Sequence, residues 1–450
     1  MGGIQIASGL LKAVGALALG LGVAGAVDAA QLAAGPMAGY PAMRSALLWL
    51  QTDAPARVQI AWWPAGQAQA RRLSAAVATD DAHRNTAHID LAPLTPGTRY
   101  EYEVLIDGRA VEGLGGLSFR TAPLWQWRGP PPEVKVLTGS CAYFNEPEFD
   151  RPGRPYGDGY GIYRAMAAQQ ADLMLWLGDN LYLREADYAS PSGMAARYRR
   201  DRSRPELQAF LHATPQAAIW DDHDYGPNDG GSAFVFKQAS LDLFKDYWAN
   251  PSYGLPGVPG IFTVLHLGDA DFFLLDDRWY RDAPRALETT DKALFGAAQL
   301  AWLKNALLES TARFKIIAAG GQLLNPNGRY DAWSRYPAEQ GAFLVWLKEA
   351  GVKGVLFLSG DRHLTELLRI ERPGRYPLYE LTCSPLNSGP ARAETVNPAR
   401  VPGTLVQARN FCALHFTGRG RERRLELAAF DVGGRELWRR AILLTDLGYD

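Results

Sequence analysis

Asp172-Leu173-Met174-Leu175-Trp176-Leu177-Gly178-Asp179 reads as a short strand that ends on a glycine and an acid. Its apolar residues run without alternation, as in a strand covered on both faces. Gly178 lets the backbone turn tightly, which sets Asp179 just beyond the strand's C-terminal end. The same design recurs downstream. Val134 to Thr138 ends at Gly139-Ser140-Cys141, and Ala217 to Trp220 ends at Asp221-Asp222-His223-Asp224. Phe314 to Ala319 ends at Gly320-Gly321-Gln322, and Val352 to Leu358 at Ser359-Gly360-Asp361-Arg362-His363. A hairpin is expected from Ile261 to Leu275, turning at Gly268-Asp269 and running into Asp276-Asp277-Arg278. Helices near 161–169 and 237–248 alternate with these strands, which predicts an α/β layered domain over 134–450. Residues 376–444 read mostly as further strands.

Upstream the texture changes. Ser45 to Leu50, Arg57 to Trp62 and Thr98 to Val104 are short β-rich runs parted by turn residues, and they predict a small β-sandwich over 36–125. Gly129-Pro130-Pro131-Pro132 marks a linker. Residues 1–29 read as a signal peptide. Lys12 precedes an apolar run from Ala13 to Val27, and small residues at Val27 and Ala29 suit a signal peptidase. The run is short for a bilayer, so no membrane span is expected in the mature chain. The protein is expected to be exported, to the periplasm or beyond.

Over 450 residues the net charge is −1, so no global field attracts nucleic acid or anionic lipid. Three cysteines leave at least one thiol unpaired. Cys383 and Cys412 lie in strand-like segments and are read either as a disulfide or as two buried thiols. Cys141 is left over.

Polar, metal-capable groups thus gather at strand ends, the rim where layered α/β folds bind ligands. A single such Asp is more often a cap or turn former. Taken alone, Tyr182 is a packing residue, Cys141 a buried hydrophobe, and Asp276 and Asp277 turn caps. Together they suit phosphate ester cleavage, which needs a hydroxide and neutralised phosphoryl oxygens. Two metals about 3.5–4 Å apart supply both. Asp179 suits a bridging ligand, and Tyr182, three residues on, can share its face. Extended backbone would point Asp361 and His363 to one side. Asp222 and His223 diverge, so that one can bind metal while the other protonates the leaving group. Arg278 is either a surface residue or a phosphate clamp. Ser140 has no evident base beside it, which disfavours a covalent nucleophile.

In order along the chain, Gly139-Ser140-Cys141, Leu177-Gly178-Asp179-Asn180-Leu181-Tyr182, Trp220-Asp221-Asp222-His223-Asp224, Asp276-Asp277-Arg278 and Ser359-Gly360-Asp361-Arg362-His363 resemble the alkaline phosphatase D (PhoD-like) family of calcineurin-like metallophosphoesterases. Leu94-Thr95-Pro96-Gly97-Thr98 with Tyr100, Tyr102 and Phe119 to Pro123 resembles a fibronectin type III-like domain. The resemblance implies a four-layer αββα catalytic sandwich and a cofactor of iron, Fe(III), with one or more calcium ions, Ca²⁺. By the same resemblance Cys141, Asp179 and Tyr182 hold iron. Asp179 bridges to calcium, and Asp222, Asp361 and His363 complete the cluster. Asn228 or His223 would face a phosphate-ester substrate, with Arg278 steadying the phosphate. Only seven histidines occur, and Gln322 stands where a ligand His is usual, so a dinuclear zinc or manganese site is less expected. The family's twin-arginine export signal is missing from the N-terminus. Two alternatives stand beside the phosphatase reading: a phospholipase D-like or teichoic-acid-type phosphodiesterase, and an inactive surface interaction protein.

Overall fold

The computed structural model describes residues 1–2, 29–328, 330–393 and 396–449. The apolar run Ala13 to Val27, read as part of a signal peptide, lies outside them. Among the described residues no helix is long and apolar enough to cross a membrane.

Two six-stranded sheets form the larger part of the chain. The first runs in the order Gln216–Ile219, Leu173–Leu177, Val134–Gly139, Asn410–Thr417, Arg424–Asp431, Glu436–Leu443. Its first three strands are parallel. The second sheet runs Thr263–Leu267, Ala270–Leu274, Phe314–Ala318, Val355–Ser359, Leu378–Thr382, Glu366–Ile370, with a parallel centre and antiparallel edges.

Alternation along the second sheet explains how the layers stack. Phe272, Leu274, Ile316, Ala318, Leu356 and Leu358 face a core shared with Val136, Leu414 and Phe416 of the first sheet. Their neighbours Phe273, Ile317, Val355 and Phe357 face the opposite way, onto Leu303, Leu307, Phe343 and Leu347 of helices Ala297–Glu309 and Pro337–Glu349. A strand buried on both faces has no polar side to alternate with, hence the continuous apolar runs of the sequence. On the first sheet's outer face, Tyr163 and Phe210 from helices Ile162–Ala167 and Pro205–Ala213 lie 6.3 and 6.2 Å from the Trp176 ring.

The N-terminal part is also two sheets, closed on Leu48, Leu50, Ile60, Tyr102 and Val104. Its first strand, Leu32–Ala38, is absent from the sequence reading, which set the sandwich at 36–125. That strand lies along the seam with the larger part. The Gly35 amide donates to Gln208 Oε1 at 2.9 Å, and His212 Nε2 lies 2.8 Å from the Gly35 carbonyl. Trp49, fully buried, donates its indole N–H to the Asp246 carbonyl at 2.7 Å.

Cys383 and Cys412 are bonded, with Cα atoms 6.2 Å apart. The bond ties Thr382's strand end to strand Asn410–Thr417 and so joins the two sheets. Closing a loop of this length constrains the unfolded chain. The double variant Cys383→Ala/Cys412→Ala should lose about 3 kcal/mol of unfolding free energy. Urea denaturation with and without reductant measures it, and equal midpoints for the oxidised and reduced wild type would refute it.

Candidate metal centre

Parallel pairing places the ends of Val134–Gly139, Leu173–Leu177 and Gln216–Ile219 on one edge of the first sheet, and the ends of Phe314–Ala318, Val355–Ser359 and Leu378–Thr382 on one edge of the second. Gly360 lets these two edges meet, and Gly178 lets two strand ends of the first sheet close on each other. A Cβ on Gly360 would lie 2.5 Å from Ser140 Oγ and 2.7 Å from the Leu177 carbonyl. One on Gly178, whose φ is +85°, would lie 2.5 Å from Asp221 Cβ.

The residues that follow leave the strands through left-handed backbone. Cys141, Asp179, Asp361 and His363 have φ of 63°, 51°, 63° and 53°. Side-chain residues in that region cost roughly 1–3 kcal/mol each and persist where the surroundings fix them, as at functional sites. Here the expectation of extended backbone at Asp361 and His363 is corrected. The segment is a tight turn, and both side chains line the same cleft.

The side chains converge. Cys141 Sγ is 3.4 Å from Asp179 Oδ2. The Tyr182 hydroxyl is 3.1 Å from Asp179 Oδ2 and 3.1 Å from His363 Nε2. Candidate ligand atoms of Cys141, Asp179 and His363 all lie within 4.8 Å of one another, and so do those of Asp179, Asp222 and His223. Asp179 belongs to both groups. Its carboxylate has one oxygen beside the thiol and phenol, while the other accepts the His223 backbone N–H at 3.2 Å.

Neighbours hold these groups in place. His363 Nδ1 is 2.6 Å from the Gly389 carbonyl. A carbonyl only accepts, so Nδ1 carries the proton and Nε2 presents a lone pair to the site. Ser384 donates its hydroxyl to Cys141 Sγ at 3.0 Å and accepts the His363 N–H at 3.0 Å. Tyr156 sits 3.1 Å from His363 Nδ1. Gly389 and Tyr156 lie in loops, and Ser384 follows strand Leu378–Thr382, whose end the sequence reading did not single out.

Three other predicted residues stand outside these two donor groups. Asp361 joins neither donor group, although its side chain is 24% exposed into the same cleft. Asn228 lines that cleft. Arg278 does not line it. It is buried, bonded to Asp221, and 2.8 Å from Asp331 Oδ2. Those two acids consume its charge, so in this arrangement it is no free clamp. His223 lines the cleft with its ring stacked on Tyr182, centroids 4.1 Å apart.

The electrostatics ask for cations. Burial, then the neighbouring Cys141 and Asp222, holds the Asp179 carboxyl well above its usual range. Burial and then Asp331 and Asp222 push Asp361 up to about 7. Burial pushes the Cys141 thiol up to about 11. Burial also opposes charge on Asp222, but His223 and Arg278, with hydrogen bonds from the Asp229 backbone and Asp179, outweigh it and bring that carboxyl down to about 2. Asp222 Oδ1 is buried without a hydrogen-bond partner. Acids crowded this closely are stable together when positive charge stands between them, and a bound metal ion would deprotonate the thiol outright. A thiol, a phenol, an imidazole and shared carboxylates are a donor set that fits metal ions. The cleft above them encloses about 830 Å³, the size of a small-molecule site.

Comparison with known proteins agrees with this geometry. The family model described as PhoD-like phosphatase matches residues 136–422. A model described only as a domain of unknown function, DUF7800, matches residues 29–123. Alkaline phosphatase D of Bacillus subtilis (strain 168) is 26% identical over 410 residues, covering 78% of this chain and 69% of that protein. Among solved structures, one titled "Structure of PhoD" superposes with a TM-score of 0.74 at 18% identity, covering 92% of this chain and 90% of its own. The purple acid phosphatase PPD1 from yellow lupin (Lupinus luteus) seeds gives a TM-score of 0.64 at 12% identity, covering 92% of this chain and 75% of its own. The protein is a phosphoesterase hydrolase with a mixed α/β, sheet-rich fold. More particularly, the chain belongs to the PhoD-like phosphatase family.

Proposed function

We propose that the chain hydrolyses phosphate esters with metal ions held at the strand ends, as a four-layer αββα catalytic sandwich behind a fibronectin type III-like domain. One observation carries the reading: Asp179 is common to two groups of candidate metal donors. A carboxylate so placed is what a bridged pair of ions needs. Cys141, Tyr182, Asp179 and His363 would hold Fe(III), because thiolate and phenolate are donors that suit a redox-capable transition metal. Asp179 and Asp222, with Asp361 nearby, would hold Ca²⁺ through oxygen. When bound, such ions lower the pKa of water and offset the charge of the phosphoryl oxygens. His223, stacked on Tyr182 at the cleft wall, would hand a proton to the leaving oxygen, and Asn228, which lines the cleft, would orient the ester. Export to an oxidising compartment suits the Cys383–Cys412 bond.

A diester reading draws on the cleft itself. Its volume of about 830 Å³ and its lining by Tyr143, Tyr156, Tyr188 and Tyr330 would accommodate a substrate with a bulky second arm, such as a phospholipid or a polymer of the teichoic-acid kind. Nitrophenyl phosphate compared with bis-nitrophenyl phosphate separates the two.

The metal reading is tested by chelation and by colour. Chelator should lower nitrophenyl phosphate hydrolysis by at least about 100-fold, and calcium with iron should restore it. Tyr182→Phe should remove a visible phenolate-to-iron band present in the wild type. Full activity in a colourless, metal-free preparation would overturn the proposal.

A further inference from the structure

With Arg278 spent on buried acids, the cleft lacks the cation that the sequence assigned to the phosphate. Of the arginines that line the cleft, one stands within the site's own strand-end motif. Arg362 lies between Asp361 and His363 in the same turn and lines the cleft beside both. Its side chain is only 14% exposed, so it is held rather than waving.

Three contacts fix it. The guanidinium stacks on the Tyr330 ring, 4.0 Å from the centroid. One terminal nitrogen donates to Gln322 Oε1 at 3.0 Å. Nε lies 3.9 Å from Asp361 Oδ2, too far for a hydrogen bond. Gln322 is itself locked. It is fully buried, and its amide nitrogen donates to Glu366 Oε1 at 3.0 Å and to Thr382 Oγ1 at 2.9 Å. That leaves Oε1 to face Arg362 and Asn325, which donates to it at 2.6 Å. The role of Gln322, left unexplained by the sequence, follows: it anchors one tine of the guanidinium fork. The remaining N–H groups have no acceptor among the described residues.

We propose that Arg362 is the residue that grips the substrate's phosphoryl oxygens. A planar, pre-oriented guanidinium with unspent donors matches a phosphoryl group better than a mobile ammonium does, because the fork gives two parallel hydrogen bonds. The stack on Tyr330 fixes the plane, and Gln322 fixes the rotation about it. This rests on the phosphoesterase reading of the same cleft and adds to it the group that binds the phosphate independently of any ion.

The test uses the metal-loaded, full-length protein. For Arg362→Ala, KM for nitrophenyl phosphate and the calorimetric Kd for inorganic phosphate should both rise about 10- to 100-fold, with metal per chain unchanged. Arg362→Lys, which keeps the charge but not the fork, should fall between alanine and wild type. KM and Kd within twofold of wild type in Arg362→Ala would overturn the assignment. So would loss of metal from that variant, which would give the side chain to the support of Asp361 instead. A metal-loaded wild type that cleaves no phosphate ester would bring down the parent reading, and this one with it.

Discussion

Asp179→Ala should empty the site and stop the reaction together. Hydrolysis of nitrophenyl phosphate is expected to fall by on the order of 10³-fold or more, a barrier increase of about 4 kcal/mol. Metal per chain, read by mass spectrometry, should fall in parallel. The reason is geometric. Asp179 touches the thiol and phenol through one oxygen and faces Asp222 and His223 through the other, so its loss unmakes both donor groups at once. Removing a ligand that serves only one ion would leave the second in place. The fold should survive, because alanine removes a carboxyl whose burial is itself unfavourable. A variant that keeps its full metal content would exclude Asp179 as the bridge.

Arg278→Ala should act on stability rather than on the phosphate. The sequence left Arg278 as a surface residue or a phosphate clamp, and a clamp's removal would weaken turnover or binding and leave metal content intact. In the structure the guanidinium is 1% exposed and compensates Asp221 and Asp331. Taking it away strands two carboxylates in the interior, a change that costs about 3–5 kcal/mol. For a chain of this size that corresponds to a fall in Tm of about 3–5 °C. Calorimetry of the metal-loaded protein measures it. An unchanged Tm with a raised KM would restore the clamp assignment to Arg278 and remove the structural one.

How far the sequence led can be judged residue by residue. Cys141, Asp179, Tyr182, Asp222, His223 and His363 were singled out because each follows the end of an apolar run, and a strand end is visible in one dimension. Their convergence was also foreseeable, since parallel strands put their C-terminal ends on the same edge. The turn at Asp361 and His363 was misjudged because left-handed backbone at a non-glycine residue leaves no mark in composition. Ser384, Gly389 and Asp331 escaped for another reason. They reach the site from loops far along the chain, and their partners are set by how the two sheets stack rather than by local pattern. The strand Leu32–Ala38 was missed because alanine, glycine and proline carry little β signal, and its burial comes from the helix it lies on.

The seam formed by that strand has a consequence for how the molecule comes apart. Ala34, Met37 and Trp49 contribute to the same hydrophobic core as the catalytic strands, although they precede the proline-rich link. Heating should therefore give one calorimetric endotherm and not two. A chain trimmed to begin after Pro132 would bare the hollow that Trp49 fills and leave the Asp246 carbonyl without its indole donor. What looks in the sequence like a detachable front module is, energetically, part of the enzyme's own wall.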